Sequence, residues 1–282
     1  MTGAGATVAA ELVAAAARVA EAGPVPRIRA LHLPPPQLVG TRAGEFCAVE
    51  LEDGTLGLSF VLLDGELHGL GDGVAPLAGA DPVAVARGFA EGRGGERAVG
   101  FATVNALAAL LYRRARFVPA RAGDTLGDLA PGPGDHVGMV GLFPPLVPRV
   151  LATGARLTVV ELRRDLVAEH RDWRVTADPE ALRACSKVLC TSTVLLNDTL
   201  DGLLARCGGA RAFALVGPGA ACLPDPLFAR GVTVLGGTWI EDGPALLEAI
   251  RTGSPWGKAA RKFALARGAY PGLDALLSRA RP

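Results

Sequence analysis

GDHVGMVGLFPPLVPRVLATGARLTVVELRR, residues 134–164, carries the architecture of this chain. It reads as a buried strand over 136–142, a glycine turn, a proline-started helix over 145–153, and a second buried strand over 156–161 that ends in an acid. That is the opening βαβ unit of a doubly wound sheet, which presents a helix N-terminus and a carboxylate beyond its strand ends. The G-x-G-x-x-G fingerprint is missing, and Gly138-Met139-Val140-Gly141-Leu142-Phe143-Pro144-Pro145 stands in its place. A proline pair removes amide donors, the opposite of what a pyrophosphate cradle needs, so ordinary NAD binding through this turn is disfavoured.

Downstream, apolar runs at 187–190, 212–216 and 232–235 read as further strands. Helices near 179–184, 195–206, 224–230 and 244–252 separate or follow them, which makes a parallel, doubly wound, Rossmann-like sheet the natural architecture. Residues 255–282 read as a helical tail packed back on the body. Upstream the pattern differs. A helix over 5–21 precedes short strands at 27–33, 46–51 and 56–62, the last two joined by an Asp53-Gly54 hairpin turn. Helices at 82–91 and 97–114 follow, so strands and helices are grouped as in an α+β unit. The Gly-, Pro- and Asp-rich segment 121–134 suits a boundary, and the expected organisation is an α+β domain over 1–115 followed by a Rossmann-like α/β domain over 116–282.

Composition excludes several function classes. Half of the 282 residues are apolar and a fifth charged, as in a soluble globular protein. With 29 basic against 28 acidic residues the net charge is +1, so no electrostatic case exists for nucleic acid or an anionic membrane as a partner. The Ala- and Val-rich start lacks a basic leader and is interrupted by Glu11, Arg18 and Glu21, which fits an amphipathic helix rather than a signal peptide or membrane span. Five irregularly spaced cysteines argue against a disulfide framework and for a reducing cytoplasm. No HxxxH, CxxC, GxSxG or Walker pattern is present, and His32, His68, His136 and His170 are scattered. Cys185 and Cys190 read as buried apolar thiols.

Ligands of such sheets lie beyond the C-terminal strand ends, so the loops leaving strands hold the candidate residues. The first contributes Gly141, Phe143 and Pro144. Glu161 ends the second strand, where an acid accepts from a ribose diol or pairs with Arg163 or Arg164; it is also the first group to consider for acid/base work. Thr191, Ser192 and Thr193, with Asn197 further on, offer more polar groups than helix capping alone requires. Gly217, Pro218 and Gly219 let a ligand approach the backbone closely, and Trp239 offers a ring that either stacks or packs. In the first half, Asn105 lies among small helical residues, where it fixes packing or faces a cleft.

Four segments together resemble a bacterial and archaeal family catalogued as putative heavy-metal chelation proteins. They are Ala98-Val-Gly-Phe-Ala-Thr-Val-Asn-Ala106, Thr191-Ser-Thr-Val-Leu-Leu-Asn-Asp-Thr-Leu200, Leu215-Val-Gly-Pro-Gly-Ala220 and Gly231-Val-Thr-Val-Leu-Gly-Gly237. They are similar to the family's G-x-A-x-x-N-A helix, T-G-T-x-x-x-N-x-T loop, G-P-S/G turn and G-V-x-x-x-x-G strand. The resemblance implies an enolase N-terminal-like domain joined to a Rossmann-like domain, with the site in the cleft between them. Where the family has Thr-Gly-Thr, this chain has Thr191-Ser192-Thr193, so an altered ligand is expected.

The leading expectation is a small-molecule enzyme or binding protein with an interdomain site for an anionic or nucleotide-like ligand, acting alone or as a homodimer. The alternative is a protein that handles a transition metal or metal chelate. The residues leave open whether the chain is catalytic and name neither a cofactor nor metal ligands.

Overall fold

The computed structural model describes residues 6–38, 45–61, 77–124, 126 and 128–281. Two sheets organise the chain. The smaller has the order β1-β2-β3, with β1 at Ile28–His32, β2 at Phe46–Leu51 and β3 at Leu56–Phe60, all antiparallel. The β2–β3 hairpin turns at Asp53-Gly54, where Gly54 has φ +79° and Asp53 Oδ1 accepts from the Thr55 amide at 3.0 Å. The start of the expected first helix at Gly5, the end of the third strand at Leu62, and His68 lie outside the described residues.

Helix α1 (Val8–Ala17) is capped by Thr7, α2 (Pro82–Ala86) by Asp81, and α3 (Gly88–Glu91) leads into α4 (Gly94–Arg114). Helix α4 is buried nearly all round, as befits a central core helix rather than a surface amphipathic one. Strand β3 lies directly on it. A Cβ at Gly57 would stand 2.1 Å from the Ala102 carbonyl and 2.2 Å from the Ala106 nitrogen, so only glycine permits the approach.

The second sheet contains β4 (His136–Val140), β5 (Arg156–Val160), β6 (Ala168–Glu169), β7 (Trp173–Thr176), β8 (Lys187–Thr191), β9 (Ala212–Val216), β10 (Val234–Ile240) and β11 (Ala260–Ala266). Its order is β11-β10-β9-β8-β4-β5-β7-β6. The six strands from β10 to β7 are mutually parallel, and the edge strands β11 and β6 run antiparallel. Numbered along the chain, those six follow the order 3-2-1-4-5-6 of dinucleotide-binding folds, with the reversal between β4 and β8. Alternate strand residues feed two cores: Met139, Leu157, Val159 and Leu189 one, Val140, Val160, Val188 and Cys190 the other. Both faces of the sheet are therefore covered, and the second core runs on without a break into α1 and α4.

Three expectations need correction. The parallel sheet carries two antiparallel edges. Strands β6 and β7, with no α-helix in the β5–β7 crossover, were not foreseen. The segment expected to be a helical tail opens with β11, which pairs along the whole of β10, before the expected helix α9 (Leu273–Ala280). Its Ala- and Leu-rich sequence suits a helix, but the open edge of β10 offers seven residues of pairing, and tertiary context overrides propensity. The remaining helices are α5 (Val147–Leu151), α6 (Leu200–Arg206), α7 (Asp225–Ala229) and α8 (Gly243–Thr252).

Candidate functional site

The loops leaving β4, β5 and β8 converge where the strand order reverses, and they enclose a pocket of about 430 Å³. Gly141, Phe143, Glu161, Thr191, Thr193 and Asn197 line it. Gly141 turns with φ +82°, and a Cβ there would come within 3.0 Å of Thr191. Glu161 forms no ion pair with Arg163 or Arg164. Its Oε2 accepts from the Leu142 amide at 2.9 Å and its Oε1 from the Arg163 amide at 3.1 Å, while the Arg163 guanidinium turns to Asp165. Thr191 caps the 3₁₀ turn at Ser192–Leu195, its hydroxyl 3.1 Å from that of Thr193. Asn197 Oδ1 accepts from the Thr199 hydroxyl at 2.6 Å.

A second cavity, of about 340 Å³, lies between the two sheets. Its walls are the β2–β3 hairpin, α4, the loop after β9 and the C-terminal half of β10. Asn105 is only 1% exposed, and its Nδ2 donates to the carbonyls of Leu58 and Gly219, both at 2.7 Å. The side chain thus both fixes packing and borders the cleft. With the amide nitrogen committed to two acceptors, Oδ1 is left buried with no protein partner. Tyr112, seven residues on and so on nearly the same helix face, has a buried hydroxyl equally without a partner. Burial pushes its phenol well above the usual range, so it stays a neutral donor. Pro218 and Trp239 complete the wall, the indole 6.5 Å from the Tyr112 ring. At the rim Arg113 donates to Thr55 Oγ1 at 2.6 Å, opposite Glu241.

The candidate residues therefore divide between two pockets rather than sharing one. Pro144, Ser192, Gly217 and Gly219 line neither. The Ser192 side chain faces Gly217, where a Cβ would stand 2.0 Å from its Oγ. The added side chain is thus absorbed by the neighbouring loop and does not obstruct the pocket beside β8. Tyr112 was missed, although its seven-residue spacing from Asn105 was visible. Arg97 was missed too: it is buried, donates to the Leu195 carbonyl at 3.0 Å and pairs with Asp198, holding the β8 loop to α4.

Two family models match the chain, both described as putative heavy-metal chelation, one over residues 39–108 and the other, DUF364, over 127–267. The second match spans half of the chain. The chain belongs to the DUF364 family. A DUF364 protein of unknown function from Pyrococcus horikoshii is 19% identical, with a TM-score of 0.66 over 92% of this chain and 100% of its own. Another, from Desulfitobacterium hafniense DCB-2, is 20% identical, with a TM-score of 0.68 over 91% of this chain and 98% of its own. At these identities the likeness shows the fold. No curated protein matches the chain.

The DUF364 description raises the question of metal ligands. Among the described residues no three of His, Cys, Asp and Glu converge. All five cysteines are free and buried. Burial pushes the thiols of Cys47, Cys207 and Cys222 up to about 12 and that of Cys185 to about 11, and it raises Cys190 as well. Protonated thiols are poor metal ligands. His32 pairs with Glu50, His136 with Thr158, and His170 stacks on Trp173. These residues do not fit a directly ligated metal. No described helix is long and apolar enough to cross a membrane.

Proposed function

We propose that the protein binds a small planar organic anion in the cavity between the two sheets. The observation that carries this reading is the pair of unpartnered buried polar atoms, Asn105 Oδ1 and Tyr112 Oη, on residues that line one cavity. Buried polar groups in native proteins almost always have partners, and leaving one without costs about 1–3 kcal/mol. A ligand N–H or O–H satisfies the amide oxygen, and a ligand acceptor satisfies the phenol. Trp239 supplies a face for a planar group, and the Arg113 guanidinium at the rim, which meets Thr55 and, at 3.9 Å, Asp53 through Nη1 alone, keeps its Nη2 edge for an anionic substituent. Five free thiols suit a reducing cytoplasm.

Tyr112→Phe tests the proposal. Removing an unpartnered hydroxyl should leave the ligand-free protein as stable or up to about 1 kcal/mol more stable. The same change should deplete the small molecule that native mass spectrometry finds on the purified wild-type chain. A variant that is destabilised, or that carries the same molecule in the same amount, refutes it. The family description favours one second reading, in which the cavity takes a metal already wrapped in an organic chelator. Elemental analysis of the same native sample distinguishes the two: metal in step with the organic molecule supports the chelate, and organic molecule alone supports the first reading.

A further inference from the structure

The pocket at the strand reversal is separate from the cavity between the sheets and has a different chemistry. We propose that it is a second ligand site, for a nucleoside that carries no phosphate. Its position outside the carboxyl ends of β4, β5 and β8 is where doubly wound sheets bind ligands. Phosphate binding there depends on free loop amides and a helix N-terminus, and in the loop between β4 and α5 this chain has spent most of those amides. The Gly141 amide donates to the Val160 carbonyl and the Leu142 amide to Glu161, each at 2.9 Å. Pro144 and Pro145 have no N–H, and the amides of Leu146 and Val147 both turn back to the Phe143 carbonyl. The Glu161 carboxylate takes the Leu142 amide for itself, and its charge repels a phosphate brought to the same loop.

Charge compensation for a phosphate is also lacking in the described lining. The Arg206 guanidinium is held by Glu180 at 2.7 Å and by the Gly202 carbonyl at 2.6 Å. What remains suits a neutral sugar and base. A carboxylate has about four lone-pair sites, and each Glu161 oxygen accepts one backbone amide, so two sites stay open to a vicinal diol. The hydroxyls of Thr191 and Thr193 border the same space. Phe143, Val194, Leu203 and Leu162 supply apolar walls, and Leu162 is 70% exposed, a large side chain at the mouth that a base would cover.

The experiment compares adenosine, guanosine, cytidine and uridine with AMP and NAD by calorimetry on the full chain. At least one nucleoside should bind with a Kd below about 5 mM, and its 5′-monophosphate should bind at least about tenfold more weakly. Glu161→Gln should weaken the nucleoside and shrink that ratio to less than about threefold, because it removes the repelling charge while keeping the side chain's size. Gly202→Phe should abolish binding without loss of folding. Gly202 lies in α6 on the pocket wall, its missing Cβ would meet only the Arg206 guanidinium at 3.5 Å, and glycine is a poor helix residue. A melting temperature at or above wild type confirms that this variant is folded; if it falls, Thr193→Val, which should weaken the nucleoside, replaces it. Absence of nucleoside binding, a phosphorylated ligand that binds as well as its nucleoside, or full affinity in the folded blocking variant overturns the proposal. Tyr112→Phe, which addresses the other cavity, should leave the nucleoside affinity unchanged.

Discussion

Asn105 joins three parts of the molecule through one amide, and its replacement tests that role directly. Its two donated hydrogen bonds reach Leu58 on the free edge of β3 and Gly219 after β9. Asn105→Ala strands both carbonyls in the interior, at about 1–3 kcal/mol each, and relieves the buried Oδ1, which returns about the same for one group. The balance is a loss of about 2 kcal/mol. For a chain of this size that lowers the melting temperature by roughly 4–8 °C. Asn105→Asp keeps the volume but replaces a donor with an acceptor facing two carbonyl oxygens. Only the protonated carboxyl can donate to either, so burial and those oxygens raise its folded pKa. The sign follows: stability is greatest below the unfolded value of about 4 and is lost as pH rises through the raised folded value. Urea unfolding at about pH 5 and about pH 8 reads both effects, since the aspartate variant should lose more than the alanine variant at the higher pH. An alanine variant as stable as wild type, or an aspartate variant insensitive to pH, refutes the clamp.

Three further outcomes follow from features elsewhere in the fold. Asp135 is buried between Lys187 at 3.1 Å, Ser186 at 2.9 Å, Arg211 and the Gly132 amide. Burial alone would raise its carboxyl, but those partners hold it well below the usual carboxylate range. Its stabilisation is complete above about pH 4 and lost as pH falls further; Asp135→Asn should cost about 3 kcal/mol at neutral pH by leaving Lys187 buried without its counter-charge, and urea titrations measure both. Gly57→Ala should cost more than about 3 kcal/mol or abolish soluble expression, because the atoms it meets are helix backbone, whereas Gly208→Ala meets nothing within 4 Å and should stay within about 0.5 kcal/mol. A thiol-specific disulfide reagent at about pH 8 should leave all five cysteines unmodified in the native protein and react with all five in urea, since each is buried with a raised pKa.

Most strands were legible because each is a short apolar run with turn residues on both sides. Residues 46–51 and 212–216 match the observed strands to the residue. Strand β7 was not, since Trp173-Arg174-Val175-Thr176 is half polar and gains its identity from pairing with β5. The candidate loops were also correctly placed at strand ends. What the chain does not display is the spatial order of its strands. With β4 between β5 and β8, their loops meet at one crevice. The loops after β9 and β10 open further along the sheet, beside the hairpin and α4, so one imagined cleft became two pockets. What Glu161 holds within the protein was not legible for a related reason. Its partners are backbone amides, which no residue pattern advertises.

Helix α4 lines one pocket and braces a loop of the other, and that sets a rule for how this chain can change length. Arg97 near its start holds the β8 loop, while Asn105 and Tyr112 face the cavity between the sheets. One residue inserted between Arg97 and Asn105 would turn one set against the other by about 100° and shift it about 1.5 Å along the axis. Such an insertion spares at most one pocket, and a two-turn insertion would restore the facing while displacing one end by about 10 Å. The helix acts as a ruler: sequences that keep both pockets must keep the Arg97–Asn105 interval at eight residues, whatever happens in the loops around it.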